Sequence, residues 1–335
     1  MTEGANGWQP DILPGYEFRD LPLPEAQLAA GDEEGLLAAT LVRRCGPRRD
    51  RAVLYLHGWN DYFFQTHLGD FYAELGYDFY AVDLRRYGRS LREGQLQGYI
   101  TTLSHYSEEL DAAVEIVNAE APGGRTGQLI ISGHSTGGLI AALWAADRPG
   151  AADGVILNSP WLELQGSAMI RAIGTPVLEA LASRGMSTTA IPMTGTDFYA
   201  RALRADREGE WSYNQAWKGS PGPPILIGWI RAIRQGHVRV ASGLDIEAPV
   251  LVMTSARTLY RRRWDPELLG VDTVLDVDQI AQRAPRLGRH VTLIRFEGGL
   301  HDLVLSAKPV RDAVFAEMKA WLGYLGARER TESVN

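Results

Sequence analysis

The run Gly133-His134-Ser135-Thr136-Gly137 is the stretch of this chain best suited to covalent chemistry. It follows an apolar run, residues 128–132, and leads into a helix-forming stretch ending near Ala146. In that setting G-x-S-x-G makes a sharp strand-to-helix turn that lifts the serine hydroxyl above a sheet. Glycine is needed on both flanks because the turn leaves no room for side chains. The helix that follows begins with free N–H groups, which favour negative charge beside the serine. A serine hydroxyl is a weak nucleophile, so Ser135 calls for a general base, and the base calls for an acid to orient it.

Of seven histidines, His301 in Gly298-Gly299-Leu300-His301-Asp302 alone sits directly after the last apolar strand-like run, VTLIRF. His67, His105, His237 and His290 fall in helical, intervening or pre-strand segments and read as surface or packing residues. His134 lies inside the turn and cannot reach its neighbour's hydroxyl as a base. His57 reads as a brace that holds its own loop by hydrogen bonds.

Five carboxylates compete to be the acid: Asp265, Asp272, Asp276, Asp278 and Glu163. Asp265 precedes Pro266, the pattern of an N-cap with proline at the first helical position. Asp276 stands three residues before Gln279, a capping box. Asp278 falls in the first turn of the same helix, where a carboxylate suits the dipole. Asp272, in the loop ahead of that cap, has no such duty and is the favoured acid, with Glu163 its main rival.

These residues must be held by a scaffold. Short apolar runs at 36–44, 51–58, 77–83, near 128, near 154, near 249 and at 291–299 read as strands. Helical spacing recurs at 64–75, 103–120 and toward the carboxyl end. Continuous apolar strands alternating with helices imply an α/β fold, a mostly parallel sheet with helices on both faces. Residues 1–35 are rich in proline, glycine and acids and read as an extended leader. Residues 161–246 hold four tryptophans among glycine and proline breaks and read as an inserted, mainly helical cap. The core is then 36–160 with 247–335.

The segments LYLHGWND, DLRRYGRS, GHSTGG, PVLVMTS and GGLHD together resemble the α/β-hydrolase superfamily, and within it the monoacylglycerol lipase, lysophospholipase and serine-aminopeptidase-like group. The resemblance covers 51–160 and 247–325, and the cap only in position. It implies a triad in the chain order Ser135, Asp272, His301. It also implies an oxyanion hole made by the backbone N–H groups of Trp59 and Thr136. Asp83, opening DLRRYGRS, is implied to be a scaffold residue. The chain departs from the group after Ser255, where no acid follows at short range and the insertion LYRRRWDPELLGV intervenes.

Composition bounds the partners. At 45 % hydrophobic and 22 % charged the chain has the make-up of a soluble globular protein. A net charge of −7 argues against nucleic-acid binding. One cysteine, Cys45, excludes an internal disulfide and suits a reducing, cytoplasmic setting. The start lacks a secretory pattern, and the longest apolar run, PPILIGWI, falls short of the roughly 18 residues of a membrane span. That run is expected to be a cap helix rather than a lipid-surface helix, and Arg261-Arg262-Arg263 a solvated face. No metal or cofactor is called for.

The expected reaction is hydrolysis of a hydrophobic carboxylic ester through an acyl-enzyme. Trp161, Trp211, Trp217 and Trp229, with Phe198, Tyr199 and Tyr213, are the candidate pocket. Opening of a bulky apolar lactone, aminopeptidase action or acyl transfer on the same triad are the alternatives. A non-catalytic binding protein of the same fold is the rival from another class.

Overall fold

The computed structural model describes residues 7–164, 176–192 and 196–332. Its strands are β1 (Gln9–Pro10), β2 (Tyr16–Pro22), β3 (Ala38–Arg44), β4 (Arg51–Leu56), β5 (Asp78–Asp83), β6 (Gln128–His134), β7 (Gly154–Asn158), β8 (Ala190–Ile191), β9 (Ile225–Leu226), β10 (Val250–Ser255) and β11 (Val291–Phe296). Nine of them make one sheet in the order β1-β2-β3-β5-β4-β6-β7-β10-β11. From β5 to β11 the neighbours run parallel, and β1, β2 and β3 are joined antiparallel at one edge.

The central strands are mostly buried and apolar because the sheet is covered there on both sides. In β4, Ala52, Leu54 and Leu56 enter one core cluster while Val53 and Tyr55 enter the other. In β10, Val250 and Val252 divide from Leu251 and Met253 in the same way. One cluster takes up the helices α2 (Ser107–Glu120) and α3 (Thr136–Asp147), and the other takes up α1 (Thr66–Glu74) and α7 (Lys308–Glu332). The helices numbered between these are α4 (Phe198–Leu203), α5 (Ile227–Ser242) and α6 (Val277–Arg283).

One sequence expectation needs correction. Part of the expected leader is sheet: Tyr16–Pro22 pairs along its whole length with β3. Its alternation was hidden because only Tyr16 and Leu21 of the seven residues are buried. Between β7 and β10 the short strands β8 and β9 pair antiparallel. The PPILIGWI run therefore begins as β9 and turns into α5. No helix among the described residues is long and apolar enough to cross a membrane.

Candidate active site

The tight turn after β6 is built as its glycines require. Ser135 has φ 53° and ψ −116°, a left-handed conformation costly for a residue with a side chain. A Cβ on Gly133 would stand 2.5 Å from the Gly137 carbonyl oxygen. One on Gly137 would stand 2.3 Å from the His57 carbonyl oxygen. Two N–H groups donate to the Ser135 carbonyl, from Leu139 (3.2 Å) and Trp161 (3.0 Å), and the Ser135 N–H donates to the Asn158 carbonyl at 3.0 Å. The strained turn is thus pinned from α3 and from the segment that leaves β7.

Three side chains from distant parts of the chain meet above it. His301 Nε2 lies 3.0 Å from Ser135 Oγ, and His301 Nδ1 lies 2.8 Å from Asp272 Oδ2. Ser135 is 8 % exposed, His301 3 % and Asp272 0 %. The second oxygen of Asp272 accepts the N–H groups of Val274 (2.7 Å) and Leu275 (2.8 Å). Those two bonds hold the carboxylate aimed at His301.

The arginine-rich insertion does not disturb this, because its ends meet. Asp272 N–H donates to the Arg257 carbonyl at 3.1 Å, and Leu259 N–H donates to the Asp272 carbonyl at 3.0 Å. The excursion between leaves the end of β10 and returns beside it. Asp265 accepts the Glu267 N–H, and Asp276 accepts those of Asp278 and Gln279, the capping duties expected of them. Glu163 is turned elsewhere, with Oε1 2.6 Å from Arg234 and Oε2 2.6 Å from Arg283. Those two cations hold its carboxyl below the usual range against the effect of burial.

His57 braces its loop. Its Nδ1 contacts the Gly58 carbonyl at 2.7 Å and its Nε2 accepts the Leu84 N–H at 3.1 Å, which fixes the proton on Nδ1. Burial pushes its pKa down, so it stays neutral. The loop it holds crosses the turn: Gly137 packs against the carbonyls of Leu56 and His57, and a Cβ on Gly58 would be 3.2 Å from Ser135 Cβ. Trp59 follows on that loop, and Thr136 is the first residue of α3, where an N–H has no partner within the helix. Asp83 accepts the Phe63 N–H (2.9 Å) and Arg89 Nη1 (2.8 Å), so it clamps the far end of the same loop.

The four candidate pocket tryptophans fall into two groups. Trp161 and Trp229 stand side by side, 5.8 Å between ring centroids, and Trp59 lies 5.4 Å from Trp229, a row beside the turn. Trp211 instead stacks on His67 at 4.6 Å, with Nε1 donating to the Leu305 carbonyl. Trp217 packs edge-on against Tyr62 at 5.1 Å.

Further side chains surround the site, Tyr199 of the candidate pocket among them. Tyr199 of α4 sets its ring edge-on to His301 at 5.5 Å. Asp302 accepts Asn158 Nδ2 (2.7 Å) and Gln65 Nε2 (3.1 Å), tying the His301 loop to β7 and to the Trp59 loop. His134 is buried 4.9 Å from the His301 ring, and burial pushes its pKa well down. Among the described residues no cluster of histidine, cysteine and carboxylate could hold a metal ion.

A family profile described as serine aminopeptidase, S33, matches residues 47–256, more than half of the chain. Among solved structures, a thermostable carboxyl esterase from Bacillus coagulans superposes with a TM-score of 0.66 at 16 % identity, over 92 % of this chain and 98 % of that one. A soluble variant of monoglyceride lipase from Saccharomyces cerevisiae gives 0.60 at 19 % identity, over 91 % and 96 %. The monoacylglycerol lipase of Paleococcus ferrophilus gives 0.60 at 17 % identity, over 86 % and 99 %. At these identities the likeness is one of fold.

Proposed function

The chain belongs to the serine aminopeptidase S33 family of α/β hydrolases, and from that premise we propose that it hydrolyses a hydrophobic carboxylic ester through Ser135, His301 and Asp272. The observation that carries the reading is the unbroken line from Ser135 Oγ to His301 Nε2 (3.0 Å) and from His301 Nδ1 to Asp272 Oδ2 (2.8 Å).

In the mechanism, His301 takes the Ser135 proton as Oγ attacks the ester carbonyl. Asp272 keeps the imidazole proton on Nδ1 and balances the positive charge that forms. The tetrahedral oxyanion is met by the Trp59 and Thr136 N–H groups, each worth about 100- to 1,000-fold in rate. His301 then passes its proton to the leaving alcohol, and water, activated by the same imidazole, releases the acid from the acyl-enzyme.

Residues 161–246 act as the cap. Supporting this, Trp161 and Trp229 line the turn, while Tyr199 and Lys218 reach the His301 and Trp59 loops. The Trp59, Trp161 and Trp229 row is the apolar wall that favours an acyl chain or ring. Trp211 and Trp217 serve as scaffold. That the solved relatives in fold include a carboxyl esterase and two monoacylglycerol lipases agrees with an ester substrate.

The test is a panel of aryl esters of graded acyl length beside lactones and aminoacyl amides, with a fluorophosphonate label. Turnover of apolar esters together with labelling of wild type, both lost in Ser135→Ala, is expected. Faster turnover of lactones or amides would move the substrate class. A folded wild type that neither turns over nor labels would leave only a binding role.

A further inference from the structure

We propose that Lys218 is a positioning residue for the oxyanion donor Trp59, acting through a buried ion pair with Asp61; this rests on the ester-hydrolysis reading of Ser135. Asp61 stands two residues beyond Trp59 on the loop after β4 and is 1 % exposed. Lys218 comes from the far side of the molecule's sequence, and its Nζ lies 2.6 Å from Asp61 Oδ2 with 9 % of the side chain exposed.

The ion pair is one of several ties that lay residues 214–222 along residues 59–62. Asn60 Nδ2 donates to the Gly219 carbonyl at 2.7 Å. Asn214 N–H donates to Tyr62 Oη at 2.7 Å. A Cβ on Gly222 would meet Asn60 Nδ2 at 2.8 Å and Trp59 Cη2 at 3.1 Å, so the Gly222 backbone lies close against both side chains. Asn60 itself has φ 55°, a conformation that persists where surrounding contacts impose it. The strap therefore sets the path of the loop immediately beyond the Trp59 peptide.

Lys218 also touches the other half of the site. Its ammonium lies 5.6 Å from the Phe64 ring, 5.8 Å from Tyr213 and 5.9 Å from Tyr199, and Tyr199 is the ring set against His301. One cation thus touches both the loop that carries the oxyanion donor and the ring that backs the base. A buried ion pair is weak as a source of stability, since desolvation cancels most of the attraction. Its use here is to fix one arrangement of the loop, and loss of that arrangement is felt in the transition state, where the oxyanion first needs its donor.

Three variants test this on a p-nitrophenyl ester: Lys218→Met, Lys218→Arg, and the double variant Lys218→Met with Asp61→Asn. The double variant leaves no buried charge unpaired, and Asn at 61 can still accept the Tyr62 N–H that Asp61 Oδ1 takes at 2.9 Å. The expected result is a fall in kcat of about 100-fold in both Met variants with KM little changed. Affinity for an alkyl trifluoromethyl ketone, whose serine adduct fills the oxyanion hole, should fall in parallel, and Lys218→Arg should recover most of the loss. A folded double variant with the wild-type kcat, or a loss confined to KM, would overturn the proposal. Wild type inert toward every ester, though folded, would instead remove the reading beneath it.

Discussion

Asp272 divides its two oxygens between His301 and the backbone. Oδ2 lies 2.8 Å from His301 Nδ1, while Oδ1 takes the N–H groups of Val274 and Leu275. An asparagine there would keep the backbone bonds and present an amide N–H to the imidazole. That forces the wrong tautomer, with no acceptor at Nε2 for the Ser135 proton. Asp272→Asn should lose about 10,000-fold in kcat with its fold intact. Asp276→Asn, which preserves a good N-cap, should keep activity near wild type. Steady-state kinetics and circular dichroism on both proteins decide the matter; an active Asp272→Asn refutes the assignment.

Glu163 gives the opposite pattern. It neutralises Arg234 and Arg283 and makes no contact with His301 among its described bonds. Glu163→Gln removes the buried carboxylate that Arg234 and Arg283 share and should cost about 3 kcal/mol of stability. At a temperature where the variant is folded, kcat should fall no more than a few-fold. Urea unfolding beside kinetics separates the two effects, and a loss in kcat equal to that of Asp272→Asn would make Glu163 the acid after all.

The tryptophan row predicts a shift in acyl preference. Trp161→Ala and Trp229→Ala should each change the ranking of aryl esters by chain length, with the larger loss on long chains. Trp211→Ala, which breaks the stack on His67 and the bond to the Leu305 carbonyl, should lower the melting temperature and leave that ranking alone. Identical profiles for all three proteins would remove Trp161 and Trp229 from the pocket.

Buried imidazoles make the fold sensitive to acid. Burial, with Arg234 nearby, pushes His237 down to about 3, and His57 and His134 are pushed below their ordinary value of 6.5 as well. The unfolded chain would protonate these rings near 6.5, so below that pH it binds more protons than the native state. Stability is then complete above about 6.5 and falls as pH drops below it, for His237 by about 1.4 kcal/mol per pH unit down to about 3. Unfolding free energies measured from pH 8 to 5 should decline in that direction. His237→Gln should reduce the slope by about one proton; a slope that His237→Gln leaves unchanged would contradict this.

What the sequence disclosed about the site follows the range of the interactions involved. Ser135 and His301 were legible because the G-x-S-x-G turn and the histidine after the last strand are local patterns. Asp272 emerged by elimination, since capping is also local and accounts for Asp265, Asp276 and Asp278. The pairing of residues 257–259 with Asp272 was not legible, because it depends on where a loop returns. Aromatic count marked a hydrophobic segment but not which face each ring takes, so Trp211 and Trp217 were grouped with Trp161 and Trp229. Lys218 left no trace at all: a single lysine among tryptophans reads as surface until Asp61 is seen beside it. In the fold, the central apolar strands were plain, while β2 was missed because an edge-side strand with five of seven residues not buried lacks the apolar signal.

The closed excursion between Leu259 and Asp272 bears on how such acids are searched for in other chains. Because the backbone pairs across its neck, the place of Asp272 beside β10 is independent of how many residues the excursion holds. A pattern that demands a fixed number of residues between strand and acid would pass over this chain. One that asks for a strand end, a return of any length and a short apolar link into a capped helix would find it.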